Sequence, residues 1–185
     1  MGGGNTVPVD MKFMIASTFA QMAQKKPIDK ITVKDLVEQC GISRQAFYYH
    51  FQDILEVMEW SIRQMIENDL QNSLQAETPQ KAIAEFVNTA VKHKDLLFRL
   101  LSSQRRAQVE RIFVEAMRSS IRQILYSKKP DLMISHQDLE VALSFYAYGI
   151  AGVIFENCKN KSLHVEQLSQ QLYLLLSGNM IEPYS

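Results

Sequence analysis

Cysteine is almost absent from this chain: Cys40 and Cys158 are the only two in 185 residues. They stand far apart in sequence, which leaves no disulfide framework and points to a reducing, cytoplasmic setting. Charge of either sign in excess is also missing, since 20 Lys and Arg meet 20 Asp and Glu for a formal net charge of +0. A protein working by bulk attraction to nucleic acid or anionic lipid would carry a net positive charge. No window of 18 uncharged apolar residues occurs, so no membrane partner is expected. The histidines His50, His93, His136 and His164 are scattered, with neither a Glu-x-x-His nor a His-Glu-x-x-His pattern. The glycine run at residues 2–4 has no strand and helix around it to make a phosphate cradle. No catalytic residue, metal site or cofactor is expected, and Cys158 has no neighbour that would activate it.

What the chain does have is apolar residues at helical spacing. Hydrophobic residues make up 46% of it, enough for a real core. Residues 1–10 carry no period and read as a flexible arm. From Met11 the positions Met14, Ile15, Phe19, Met22 and Ala23 form one helical face, closed by Lys25, Lys26 and Pro27. Thr32 then predicts an N-cap, with Asp35 three residues on where a capping box places its carboxylate. Leu36, Val37 and Cys40 face inward on this second helix, and Gly41 ends it. Ser43 caps a third short helix over 44–50, and Asp53 can cap a long fourth one. A polar break at 73–78 precedes Thr78-Pro79, a cap with proline at the first helical position. Further helical runs cover about 95–102, 105–127, 136–158 and 164–178, with turns at 128–131 and 157–162. No stretch alternates long enough for a strand.

The predicted fold is therefore all-α. An N-terminal three-helix helix-turn-helix domain, 11–58, is joined by the fourth helix to a C-terminal helical bundle, 59–185, that carries dimerisation helices.

The specific stretch runs from Ile31 to Phe51. Two short helices separated by Gly41 have the layout of a helix-turn-helix, one helix bracing and the other entering the major groove. Cys40, Ile42, Ala46 and Phe47 would hold the pair together. Lys34, Arg44, Gln45, Tyr48, Tyr49 and His50 are left on or near the outside, donor-rich groups suited to phosphates and base edges. One face of a very short helix cannot bury Tyr48, Tyr49 and His50 together. Two short helices with a glycine turn also occur in helical proteins that never touch DNA, so an all-α interaction module is the competing reading.

At Thr32-Val-Lys-Asp-Leu-Val, Cys40-Gly-Ile-Ser and Phe47-Tyr-Tyr-His-Phe51 the sequence resembles the TetR family of bacterial transcriptional regulators. The close match covers about residues 11–58. The resemblance implies a homodimer reading a near-palindromic double-stranded DNA operator, more often as repressor than activator, with an effector bound in the C-terminal domain. Carried over by position, Thr32, Tyr48 and His50 would meet phosphates, Lys34 a phosphate or base, and Arg44, Gln45 and Tyr49 bases; Ser43 joins this DNA-binding set at the helix start. Phe47 and Phe51 would be core. The family's usual lysine at the start of the fourth helix is replaced, since the run here is Phe51-Gln52-Asp53-Ile54.

In the second domain the helix from Leu139 to Ile154 is apolar on nearly every side, so it needs covering on both faces, most economically by a second subunit. Leu139, Leu143, Tyr146, Ile150, Ile154, Leu168, Leu172 and Leu175 are the expected dimer residues. Phe86, Phe98, Phe113, Met117 and Tyr146 are candidate effector contacts, with His93 as a polar handle. The resemblance implies as effector a small molecule or, as in family members linked to dihydroxyacetone kinases, a protein co-regulator. Arg105, Arg106, Arg111, Arg118 and Arg122 read as a solvated face interleaved with Glu110 and Glu115.

Overall fold

The structure, a computed structural model, describes residues 10–158 and 164–178; most of the expected arm and of the 157–162 turn lies outside the described residues. All regular structure among the described residues is helical, and it divides after Ser61 into two compact units.

The first unit holds α1 (Met11–Lys25), α2 (Val33–Cys40), α3 (Arg44–His50) and the opening turns of α4 (Ile54–Gln75). Each start is capped by the chemistry its sequence supplies. Asp10 accepts from the backbone N–H groups of Lys12 and Phe13 at 3.0 and 3.2 Å. Thr32 and Asp35 make the full capping box of α2. The hydroxyl of Ser43 accepts from Ala46 N at 3.1 Å, and Asp53 accepts from Glu56 N at 2.9 Å. A single 3₁₀ turn, Ile28–Lys30, follows Pro27 and was not legible in the spacing. It puts Ile28 and Ile31 into the core.

Ile15, Phe19, Leu36, Phe47, Phe51 and Val57 are all essentially inaccessible to solvent and form that core. Phe47 and Phe51 lie with ring centroids 6.1 Å apart, and Phe51 meets Trp60 edge-on at 6.2 Å. Burying each such ring contributes about 1.5–3 kcal/mol.

The second unit comprises the rest of α4 with α5 (Pro79–Lys92), α6 (Lys94–Leu101), α7 (Arg106–Lys128), α8 (His136–Cys158) and α9 (Val165–Leu176). Helix α5 pairs with α9 through Val87, Leu168 and Leu172, while α8 packs against α6 and α7. Arg118 and Arg122 of α7 both donate to the Glu140 carboxylate of α8. Two of the five arginines expected on a solvated face thus clamp one helix to the next. Burial pushes the Glu140 carboxyl up, but the Arg118 hydrogen bond and the charges of Arg122 and Arg118 outweigh it and hold it below the usual carboxylate range.

By length and composition α8 is also the one described helix apolar enough to cross a membrane, a looser measure than the uncharged run sought in the sequence. Its stripe Leu139, Leu143, Ala147, Ala151, Ile154 and Cys158 is instead buried in this unit. Burial raises the Cys158 thiol to about 11, against the opposing charge of Lys94, so it stays protonated and inert at neutral pH.

Candidate nucleic-acid interface and effector cavity

The helix-turn-helix is built from local rules. Gly41 takes φ +67°, the left-handed conformation that a side chain disfavours, and so turns the chain between α2 and α3. Its N–H donates to Glu38 O at 3.3 Å and that of Ile42 to Val37 O at 3.0 Å, which satisfies two of the last carbonyls of α2. Three residues later α3 begins.

Phe47 alone is fully buried on α3, with Ala46 half-buried, and this one anchor decides what the helix presents. Arg44 and Gln45 are exposed, as are Tyr48 at 55% and Tyr49 at 86%; His50 is half-buried. Phe47 meets the Tyr48 ring edge-on at 5.4 Å, and His50 meets that of Tyr49 at 5.0 Å, so the exposed rings are braced from behind. Lys34 stands exposed on α2 with only a loose 3.8 Å pair to Glu38. The structure therefore brings Lys34, Ser43, Arg44, Gln45, Tyr48, Tyr49 and His50 together in one unit, with Ser43 acting as the cap of α3.

Two further positions have surroundings that only the structure shows. The Thr32 hydroxyl donates to Asp35 Oδ2 at 2.8 Å and accepts from Asp35 N at 3.2 Å, so it takes part in the capping box. The same carboxylate takes Thr32 N and Lys26 Nζ, each at 2.8 Å. Those bonds, the Lys26 one foremost, lower the Asp35 carboxyl from its ordinary 3.8 to about 2. Ile54, where the family's lysine is missing, is only 7% exposed and belongs to the core of the unit. The cation is not merely absent there; its place is taken by packing.

The second unit contains a cavity of about 770 Å³, within the range of small-molecule sites. Phe86, Met117 and Tyr146, three of the six expected contacts, line it. The other three do not. Phe113 is buried against Phe155 at 5.0 Å between ring centroids, as plain core. Phe98 borders a separate, smaller cavity of about 340 Å³ with Arg106 and Phe155. His93 sits at the junction of α5 and α6, its pKa lowered by burial and then by Lys92, outside either cavity. Missed in the sequence were Ile66 and Leu70 of α4, Ile83 of α5, and Ser120, Ile124 and Lys128 of α7, all wall residues. Their spacing marks them as inward-facing but carries no sign that the inside is hollow.

The expected dimer residues also separate. Leu139, Leu143, Ile154, Leu168 and Leu172 are buried within the single chain, because α6, α7 and α5 already cover them. Tyr146, Leu175 and, in part, Ile150 keep accessible surface, yet Tyr146 and Ile150 also border the cavity. The uncovered apolar surface of α8 is a different stripe, Val141, Phe145 at 73% and Tyr148 at 67% exposed, beside Gly149 and Gly152. A Cβ at either glycine would meet nothing within 4 Å among the described residues. Among the described residues no three His, Cys, Asp or Glu side chains gather into a possible metal site.

The helix-turn-helix and the helical second unit each match a known family model. Residues 16–59 match that of bacterial regulatory proteins of the tetR family, and 77–178 match a transcriptional regulator C-terminal region of the same family. Similar solved structures include the dihydroxyacetone kinase operon activator DhaS, at 18% identity and TM-score 0.63, covering 91% of this chain and 95% of that one. The TetR family repressor AlkX from Dietzia sp. strain DQ12-45-1b, implicated in biodegradation of n-alkanes, is 14% identical with TM-score 0.57, covering 96% and 97%. A TetR/AcrR regulator from Thermobifida fusca is 16% identical with TM-score 0.50, covering 91% and 98%. At these identities the likeness is one of fold. A comparison with curated protein sequences gives no match. With its DNA-binding motif and more than half its length matched, the chain belongs to the TetR family of bacterial transcriptional regulators, which are transcription factors and not enzymes.

Proposed function

We propose that this regulator binds a near-palindromic DNA operator as a homodimer in the cytoplasm, represses from it, and is released by a small molecule held in the second unit. The observation that carries the DNA reading is the face of α3, where Arg44, Gln45, Tyr48 and Tyr49 stand exposed over the Phe47 anchor. Arg and Gln present paired donors and acceptors to base edges, and Tyr hydroxyls reach phosphates.

The dimer reading rests on α8. Val141, Phe145 and Tyr148 are apolar or aromatic, exposed, and on one stripe, and Gly149 and Gly152 permit a close helix approach. In a dimer the two α3 helices must lie one turn of DNA apart, or a multiple of it, to read both half-sites. An effector that favours another separation then lowers operator affinity. The apolar cavity in the second unit supports a small molecule over a protein co-regulator as that effector.

In vitro selection from random duplex DNA tests the reading directly. A two-fold symmetric consensus is expected, with binding lost in Arg44→Ala and Tyr48→Ala. If the wild-type chain enriches no sequence, the DNA reading fails and the interaction module stands. A promoter–reporter pair in cells with and without the protein gives the sign of regulation.

A further inference from the structure

The large cavity has a polarity that its volume alone does not reveal. Helix α7 lines it with Met117, Ser120, Ile121, Ile124 and Lys128, one stripe at helical spacing. Lys128 lies eight positions after Ser120, which is roughly 12 Å along the helix axis at about 1.5 Å per residue. Between them the wall is isoleucine, and across the cavity Ile83 and Phe86 of α5 and Leu172 of α9 keep it apolar.

At one end stands Lys128. Its ammonium donates only to Leu74 O, at 3.3 Å, and so retains donors for another partner. The acid at the same end, Glu77, is ion-paired with Lys81, which leaves Lys128 as the excess charge there.

Deeper along the wall is Ser120. It is 7% exposed, borders the cavity, and has no hydrogen-bond partner among the described residues, not even a carbonyl of its own helix. Ser61, Ser144 and Ser169, also within helices, each donate to the carbonyl four residues back, a bond that Ser120 does not make. A buried hydroxyl without a protein partner is costly, and its partner then comes from what occupies the cavity.

From these two groups we infer that the cavity takes an elongated, largely apolar monoanion, its acidic head on Lys128 and a polar mid-chain group, a hydroxyl or ketone, beside Ser120. This rests on reading the cavity as the effector site and adds the chemical class. The isoleucine wall between the two groups corresponds to a chain of roughly ten carbons between head and polar group, from the helix rise. A charge-assisted hydrogen bond at the head and a neutral one within give the acid an affinity its uncharged analogue lacks.

The test titrates the full-length protein calorimetrically with tetradecanoate, tetradecanol and tetradecylamine, all below their aggregation thresholds. One molecule of tetradecanoate per chain is expected, bound about tenfold more tightly than the alcohol, with the amine weakest. Lys128→Met brings the acid down to the level of the alcohol. Stearate with a mid-chain hydroxyl binds more tightly than stearate, and Ser120→Ala erases that difference.

Equal binding of the three fourteen-carbon probes, no binding of any, or an unchanged Lys128→Met overturns the inference. Ala82→Trp, or Ile83→Trp should the first fail to fold by circular dichroism, fills the cavity and must abolish all binding; retained binding also overturns it. The two levels separate by operator release. Acid-selective binding that leaves the selected operator duplex occupied supports the chemical class and defeats the effector reading. Failure of every probe, combined with altered promoter response in the Ala82→Trp strain, defeats the class and leaves the effector reading standing.

Discussion

The two units solve opposite packing problems. In the first, short helices close on a dense cluster of Phe19, Leu36, Phe47 and Phe51, and each helix start is satisfied by its own cap. In the second, longer helices leave a cavity of about 770 Å³ and an uncovered aromatic stripe on α8. A surface that reads DNA must hold its donors fixed, and fixing them takes a filled core behind them. On the proposed function, the second unit must keep room for a ligand and apolar surface for a partner. The contrast shows that regular sequence patterning does not imply complete packing; it implies only which way side chains turn.

The firmest challenge to this contrast comes from the cores. Phe47→Ala removes the anchor of α3 and is expected to cost about 3–5 kcal/mol, read from denaturant unfolding, with operator binding lost alongside. Leu143→Ala, on the buried side of α8, should cost about 2–5 kcal/mol, whereas Met117→Ala beside the cavity should fall at the low end of the same range because its surroundings are already hollow.

On the outer side of α8 the outcome differs in kind. Phe145→Ser should leave helix content unchanged yet move the protein from dimer to monomer in sedimentation experiments. A monomer that persists only after Leu143→Ala, and not after Phe145→Ser, would reverse the assignment of the two stripes.

Arg44→Ala removes one exposed recognition group without touching the core, so melting should be unaffected. Affinity for the selected duplex should fall by about 1–3 kcal/mol, with discrimination relaxed at one base position in each half-site.

The smallest effects concern caps. Ser43→Ala should cost about 1 kcal/mol and fray the start of α3, while Ser43→Asp keeps the cap but sets a carboxylate beside the DNA, so stability holds and binding weakens. Asp35 gives the pH arm. Its pKa is lowered on folding from 3.8 to about 2, so its contribution is present above the ordinary value and is lost as pH falls toward 2. Asp35→Asn should therefore flatten the loss of stability between those limits, followed by circular dichroism melts across acid pH.

How much of this was legible in the sequence depends on how local each feature is. The bounds of α2 and α3, the capping box, the left-handed Gly41 and the burial of Phe47 and Phe51 all follow from residues within four positions of one another. The bond from Lys26 to the Asp35 carboxylate was not legible, because it joins residues nine positions apart across a turn. Ile54 shows a second limit: a family position usually filled by a cation became core once an isoleucine stood there.

Along α8 the sequence determined a helix and no more. Leu139, Val141, Leu143 and Phe145 are equally apolar, so nothing in the chain's own pattern says which stripe turns inward. Tertiary structure decided it. Packing against α6 and α7 takes up Leu139, Leu143 and Ala147 and leaves Val141, Phe145 and Tyr148 outside, and in that rotation Glu140 meets Arg118 and Arg122. The cavity has the same origin. Helical spacing fixes direction, but whether facing side chains meet or leave a gap depends on the distance between helices, which no local pattern encodes.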